Sequence, residues 1–209
     1  MKKLAARQER SRKTKHALLR ATVQTLEAGG LEACTLPRVA AAAGVSAASV
    51  YRRFEDKDAL LRAAFLQVLE QRQLAAAKSL EEAANGGGLE EAAERLAAAL
   101  VQQHRAHPRL QRSLAQFAEA EADATFARRL REMTSSNLTT MAESLLRHRE
   151  RIRHPEPERA AMFAVVMANA TVAECVRQAA QGKPSQPLSD KQISAEVARA
   201  IMGYLRRKA

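Results

Sequence analysis

The sequence contains little of what most other fold classes require. Its 209 residues hold no tryptophan, only 3% aromatic residues, eight glycines and six prolines. Sheets favour aromatic and β-branched residues, whereas alanine and leucine dominate this chain. The composition therefore predicts an all-α protein, with enough chain for one large domain or two small ones.

Cysteines and long apolar runs are also scarce. The two cysteines, Cys34 and Cys175, lie far apart in the sequence and suggest reduced thiols rather than a disulfide framework. The longest apolar run, 160–168, is too short to span a bilayer, and no apolar segment follows the N-terminal lysines as a signal peptide would require. We therefore expect a soluble cytoplasmic protein with no membrane partner.

Short motifs of common enzymes and metal sites are missing too. The chain has no Walker loop, GxGxxG, HExxH, GxSxG or CxxC. His104 and His107 stand three residues apart, but no nearby cysteine or carboxylate completes a zinc site, and a solvated helix end explains them better. These absences predict a protein that is not an enzyme and that uses neither metal nor cofactor.

What the chain has in excess is positive charge. The net charge is +11, and residues 1–62 carry 13 Lys and Arg against 6 Asp and Glu. The first 15 residues carry seven basic side chains against Glu9 alone. Such a segment repels itself, so we predict a basic disordered arm over 1–12 that orders on a polyanion. A nucleic-acid partner explains this arm better than a role as a solubilising tail.

Periodicity and capping residues predict about nine helices. The first runs from 13 to 28 and ends at the glycine pair that follows it. Thr35 opens a short second helix that ends at Gly44, and Ser46 caps the third. Asp56 caps a fourth helix that continues to about residue 84. Five more are predicted, the last opened by a capping box of Ser189 and Gln192, over 89–105, 108–119, 122–150, 156–181 and 190–207.

The third predicted helix separates into two faces. Val50 and Phe54 are four apart and define a buried face, and the opposite face carries Ala48, Ser49 and Arg52. Two short helices joined by a glycine turn, the second of them slim at its start, fit a helix-turn-helix that approaches base edges in the major groove. A buried corner between two helices would also favour alanine and glycine, but it explains less well the bulky and basic end of this helix.

The stretch TLPRVAAAAGVSAASVYRRFEDKDALL, residues 35–61, resembles the signature of the TetR family of bacterial transcriptional regulators. The positions in register are Thr35, Ala43, Gly44, Val45, Ser46, Val50, Tyr51, Phe54 and Lys57. Two positions depart from the pattern, since residue 48 is alanine where the family often has glycine and residue 53 is arginine where histidine is common. The resemblance implies a three-helix DNA-binding domain over 13–62, whose fourth helix continues as a connector, and a helical effector-binding and dimerisation domain over 63–209.

The resemblance also implies roles for individual residues. Thr35, Tyr51 and Lys57 would hold the DNA backbone. The exposed Arg38 suits a phosphate, and Arg53 adds another such contact. Base readout falls to the start of the third helix, where alanines can touch thymine methyls and Arg52 can bind guanine. The full set of predicted DNA contacts is Thr35, Arg38, Ser46, Ala47, Ala48, Ser49, Tyr51, Arg52, Arg53 and Lys57.

The last two helices predict a homodimer. The helix over 156–181 is apolar nearly all round, which suggests burial on two sides, and the last helix carries a second apolar stripe. The resemblance implies a four-helix interface, although both helices could instead pack inside a monomer. The predicted interface residues are Met162, Val166, Val176, Ile193, Val197, Ile201 and Leu205.

A small-molecule effector that lowers DNA affinity is implied by the resemblance alone. An apolar or amphipathic effector is expected, with candidate pocket residues that could equally be plain core: Phe117, Phe126, Met133, Phe163, Met167 and Asn169. The sequence thus predicts a dimeric, ligand-responsive regulator, a repressor of a palindromic double-stranded DNA operator. A helical protein that coats nucleic acid without sequence preference is the alternative.

Overall fold

The computed structural model describes residues 2–83, 87–183 and 188–207. Within these ranges the chain is helical, with a 3₁₀ turn at Arg149–Arg151 and no strand. The helices are α1 (Lys2–Ala33), α2 (Leu36–Ala42), α3 (Ala47–Tyr51), α4 (Lys57–Ala83), α5 (Leu89–Ala106), α6 (Pro108–Ala120), α7 (Ala124–Leu146), α8 (Pro157–Ala180) and α9 (Asp190–Arg206). The all-α prediction is confirmed. The predicted break at 85–88 and the linker before α9 fall partly outside the described residues.

Helix α1 is longer than the sequence predicted. Residues 2–12 continue the helix toward the N-terminus where a disordered arm was expected. Lysine, arginine, glutamine and alanine are good helix formers. An ion pair joins Lys13 to Glu9 at 2.8 Å, one turn apart, and the Thr14 hydroxyl donates to the carbonyl of Arg10. These local interactions favour the helix over the like-charge repulsion on which the prediction relied. At the other end, Gly30 adopts φ +72°, as the glycine pair predicted.

The chain divides into two compact units, the first formed by residues 1–71 and 107–130. Its core joins α1–α3, the first part of α4, α6 and the start of α7. Three rings pack in sequence there, Phe65 against Phe117 at 5.4 Å between centroids and Phe117 against Phe126 at 5.7 Å. The predicted boundary after residue 62 assigned α6 to the other domain. The structure includes it in unit 1, because Leu110 and Phe117 supply apolar side chains to that core.

Unit 2 contains residues 72–106 and 131–209. Helix α5 packs against α8 and α9, and the three share a core with the second half of α7. The stripe of α9 predicted to contact a partner, Ile193, Val197, Ile201 and Leu205, is buried in this core, together with Val176 of α8. These residues therefore pack within one chain and correct the predicted interface. The apolar periodicity of α9 therefore marks a face that is buried within its own subunit.

Helix α8 has the length and hydropathy of a segment that could cross a membrane. In unit 2 it lies instead against α5 and α9. Its buried side is a continuous stripe of small and β-branched residues, Ala161, Ala164, Val165, Ala168 and Val172. The apolar character of α8 is thus accounted for in part by the core that it shares with its neighbours.

Candidate functional site

A tight turn joins α2 to α3 in unit 1. Thr35 is the N-cap of α2, and its hydroxyl accepts from the amide of Arg38 at 3.4 Å. Gly44 follows α2 with φ +66°, and the Val45 amide returns to the carbonyl of Ala40 at 3.0 Å. A left-handed residue at this point ends the helix and redirects the chain, and glycine adopts that conformation without steric cost. The cap and the turn stand where the sequence predicted them.

The two faces of α3 are arranged as the periodicity predicted. Val50 is fully buried and Phe54 nearly so. Ala47, Ala48 and Arg52 are exposed, and Tyr51 is 58% exposed although it is aromatic. The N-terminal end of α3, with its small side chains, therefore faces solvent, and the Tyr51 ring and the Arg52 guanidinium are exposed after it.

Ser49 organises the basic end of this face. Its hydroxyl lies 3.1 Å from the hydroxyl of Ser46 and accepts from Arg52 Nη2 at 2.9 Å. Its backbone carbonyl accepts from Arg53 Nη1 at 3.1 Å. Ser46 makes no capping bond to the backbone, because its side chain is directed at Ser49 instead. The sequence assigned Ser49 to a base; in the structure it holds Arg52, a link that the spacing of three residues could have indicated.

Arg52 and Arg53 differ in exposure. Arg52 is exposed, and a guanidinium has five N–H donors, so the bond to Ser49 leaves most of them free. Arg53 is partly buried and its Nε has no hydrogen-bond partner among the described residues. Of the two, Arg52 is the one presented for contact.

Lys57 links the start of α4 to the end of α1. Its ammonium donates to the carbonyl of Leu31 at 2.9 Å, and two further N–H donors remain. Asp56 caps the same helix by accepting from the amide of Ala59 at 2.6 Å. Burial raises the pKa of the nearby Cys34 thiol, while the charge of Lys57 acts in the opposite direction. Cys34 is therefore a buried neutral thiol between α1 and α2.

Arg62 makes a polar cluster that the sequence analysis missed. Its Nη1 lies 2.9 Å from Glu121 Oε2, and its other nitrogens lie 4.0 Å from carboxylate oxygens of Asp56 and Asp123. The Glu121 side chain is only 9% exposed. Burial acts to lower the pKa of Arg62, but the hydrogen bond to Glu121 and the three acidic charges together raise it. Because Glu121 and Asp123 stand 59 residues or more from Arg62 in the sequence, no local pattern indicates that they join it.

The predicted pocket residues fall into both units. Phe117 and Phe126 belong to the ring cluster of unit 1. In unit 2, Met133 is buried and Met167 partly buried, whereas Phe163 is 52% exposed. Asn169 is the polar residue that the sequence places on an apolar helix. Its Oδ1 lies 3.1 Å from Nε2 of His104, so it has a hydrogen-bond partner on α5.

Two surface features of unit 2 were also missed. An open groove of 720 Å³ lies between α5 and α9, where Arg105 pairs with Asp190 at 2.8 Å. On α8 the exposed Phe163 packs against Tyr204, and Tyr204 against His154, each at 5.3 Å between ring centroids. Within the described ranges, no three His, Cys, Asp or Glu side chains converge as a metal site would require.

Two family models match the chain. The model described as "Bacterial regulatory proteins, tetR family" matches residues 18–64, which contain the turn and α3. The model described as "Tetracyclin repressor-like, C-terminal domain" matches residues 88–205, more than half of the chain. No curated protein sequence matches.

Solved structures of similar fold cover almost the whole chain. A chain from Mesorhizobium loti MAFF303099 is 19% identical with a TM-score of 0.75, covering 94% of this chain and 96% of its own. A TetR family transcription regulator from Marinobacter aquaeolei VT8 is 24% identical, TM-score 0.63, covering 95% and 98%. The regulator FadR from Bacillus subtilis, solved in complex with stearoyl-CoA, is 14% identical, TM-score 0.69, covering 90% and 98%. At these identities the likeness is one of fold.

Proposed function

This chain belongs to the TetR family of bacterial regulatory proteins, and we propose that it is a repressor that a small-molecule effector releases from a palindromic DNA operator. The observation that carries the proposal is the exposed face of α3. The N-terminal part of this face carries the small side chains of Ala47 and Ala48, and one turn later Arg52 is held by its hydrogen bond to Ser49. The opposite face of the helix is anchored by the buried Val50. Such a face can enter the major groove and still place one charged side chain at a base edge.

The contacts to DNA fall into two groups. Thr35 and Arg38 at the start of α2, Tyr51 at the end of α3 and Lys57 at the start of α4 would bind phosphates, which fix position without reading sequence. Arg52 would read guanine, with Ala47 and Ala48 against thymine methyls. A short direct code of this kind leaves part of the specificity to groove shape, and the basic N-terminal residues add affinity that falls steeply with salt.

Dimerisation would use the exposed side of α8. Phe163 and Val166 are large apolar side chains left 52% and 44% exposed, and Tyr204 extends the surface onto α9. Contiguous apolar area of this kind commonly marks an interface. Two copies related by a two-fold axis would present two α3 helices to the two halves of a palindrome.

Light scattering after gel filtration tests this dimer. We expect the wild type at twice the 22.9 kDa chain mass and Phe163→Glu at the chain mass. Leu188→Glu places the same charge at another exposed apolar position and should stay dimeric. A dimeric Phe163→Glu variant would show that the interface lies elsewhere.

The effector would bind in unit 2, where the second family model matches. Helices α4 and α7 each begin in unit 1 and end in unit 2, so a shift of either helix reaches both. The effector must bind more tightly to the dimer conformation in which the two α3 helices no longer match the two halves of the operator. Only such a difference in affinity shifts the equilibrium between the DNA-binding and the released conformation.

Selection of bound sites from random duplex DNA tests the regulator against nonspecific coating. A repressor should enrich a two-fold-symmetric sequence and prefer it over random DNA by a factor of about 10³ or more. A protein that coats nucleic acid would bind in low salt yet enrich nothing.

A further inference from the structure

The hydroxyl of Ser49 joins two other side chains of α3. It accepts from Arg52 Nη2 at 2.9 Å and lies 3.1 Å from the hydroxyl of Ser46. A hydroxyl has one donor and two acceptor sites, so Ser49 can bond to both neighbours at once. Ser46 makes no bond to the helix amides, although an N-cap serine ordinarily does. The three side chains thus form a row of hydrogen bonds along α3.

This row ends on a guanidinium that nothing else holds. Arg52 is exposed, and no ion pair fixes it among the described residues. Side chains of a helix lean toward its N-terminus, which brings the guanidinium back over Ser49, one turn earlier. That bond uses one of five N–H donors and leaves a pair for the edge of a guanine. The hydroxyl of Ser49 therefore orders Arg52 in the protein without DNA.

We propose that Ser49 is a positioning residue that fixes Arg52 for one base pair in each operator half-site, with Ser46 supporting Ser49. Ordering a side chain with many rotamers costs affinity when it happens on binding, and here it happens on folding. A guanidinium held in one orientation also discriminates better between base edges than a mobile one. The proposal rests on the proposed reading of DNA by α3, and it assigns Ser49 to Arg52 rather than to a base of its own.

A second bond at Ser49 makes the substitutions selective. The backbone carbonyl of Ser49 accepts from Arg53 Nη1 at 3.1 Å, and Ser49→Ala keeps that carbonyl while it removes the hydroxyl. Ser49 is only partly buried and alanine is a better helix former, so the fold should be retained. Ser49→Thr and Ser49→Val form a matched pair, since the two side chains have similar shape and only threonine keeps the hydroxyl.

Nitrogen NMR relaxation of the full-length protein without DNA tests the contact itself. We expect a lower order parameter for the Arg52 Nε–H group in Ser49→Ala and Ser49→Val than in the wild type and Ser49→Thr. The order parameter of Arg53 should not change. Equal order of Arg52 in the wild type and every variant would show that the hydroxyl does not hold the guanidinium, and would overturn the proposal.

Binding to the selected operator duplex, and to duplexes with single base-pair changes, tests the consequence for DNA reading. Arg52→Ala identifies the base pair that Arg52 reads. We expect Ser49→Ala and Ser49→Val to lower the preference at that base pair by about three- to tenfold, and Ser49→Thr to stay close to the wild type. Added to Arg52→Ala, Ser49→Ala should have no further effect.

The results separate this proposal from the proposed function. A preference that Arg52→Ala lowers and Ser49→Ala leaves unchanged would overturn the positioning role while the DNA reader stands. A loss at a different base pair, or a further loss in the double variant, would assign Ser49 to a base and overturn the proposal. A wild type that enriches no palindrome would contradict the proposed function and the positioning role together, even with Arg52 ordered in the free protein.

Discussion

Replacing Arg62 by methionine should destabilise unit 1 substantially. The change removes the guanidinium that lies 2.9 Å from Glu121 and leaves a carboxylate that is only 9% exposed without its cation. Breaking a fully buried pair from one side costs about 3 to 5 kcal/mol. The Arg62 side chain is 25% exposed, so water can partly replace it, and we expect a loss of about 2 kcal/mol.

Urea denaturation followed by circular dichroism measures this loss. With a slope of about 2 kcal/mol per molar urea, the midpoint should fall by about 1 M. Arg62→Met with Glu121→Met replaces the pair by apolar side chains of similar size and should recover most of the loss, because no orphaned carboxylate remains. A loss of less than about 0.5 kcal/mol for Arg62→Met, or a double variant no more stable than the single one, would refute the reasoning.

Two further stability predictions follow from single residues. Gly44→Ala should lower the free energy of unfolding, measured by urea denaturation, by about 1 kcal/mol, because φ is +66° there although nothing lies within 4 Å of the added methyl. Gly203→Ala, inside α9 and equally unobstructed, should instead raise the free energy of unfolding by about as much. Equal effects of the two substitutions would contradict the backbone argument. Hydrogen bonds from Arg177 and Gln178 lower the pKa of Glu174 to about 2, so its contribution is present above the ordinary value of 4.5 and is lost as pH falls toward 2. Glu174→Gln should flatten the stability curve in that window, and an unchanged acid slope would contradict the assignment.

Local signals in the sequence were sufficient for most helices, for the turn between α2 and α3 and for the buried face of α3. Thr35, Gly44 and Ser189 act through neighbours within a few residues, and each cap or turn stands where the pattern predicted it. The buried Val50 and Phe54 followed from a spacing of four. These features depend on near neighbours, which a single sequence displays directly.

The errors arose where the partner of a residue is distant in sequence. The apolar stripe of α9 identified a buried face, but periodicity does not say whether the same chain or a second copy covers it. The pairing of Arg62 with Glu121 and of His104 with Asn169 joins residues 59 and 65 positions apart. The assignment of α6 to unit 1 likewise depends on which core receives Phe117.

We propose that α3 reads bases and that Arg52 contacts a base directly. The most direct measurement is site selection from random duplex DNA with the wild type, Arg52→Ala and Arg38→Ala in parallel. We predict a palindrome for the wild type, loss of preference at one base pair in each half-site for Arg52→Ala, worth about 1 to 3 kcal/mol, and uniformly weaker binding without altered preference for Arg38→Ala. An unchanged palindrome for Arg52→Ala would contradict the claim.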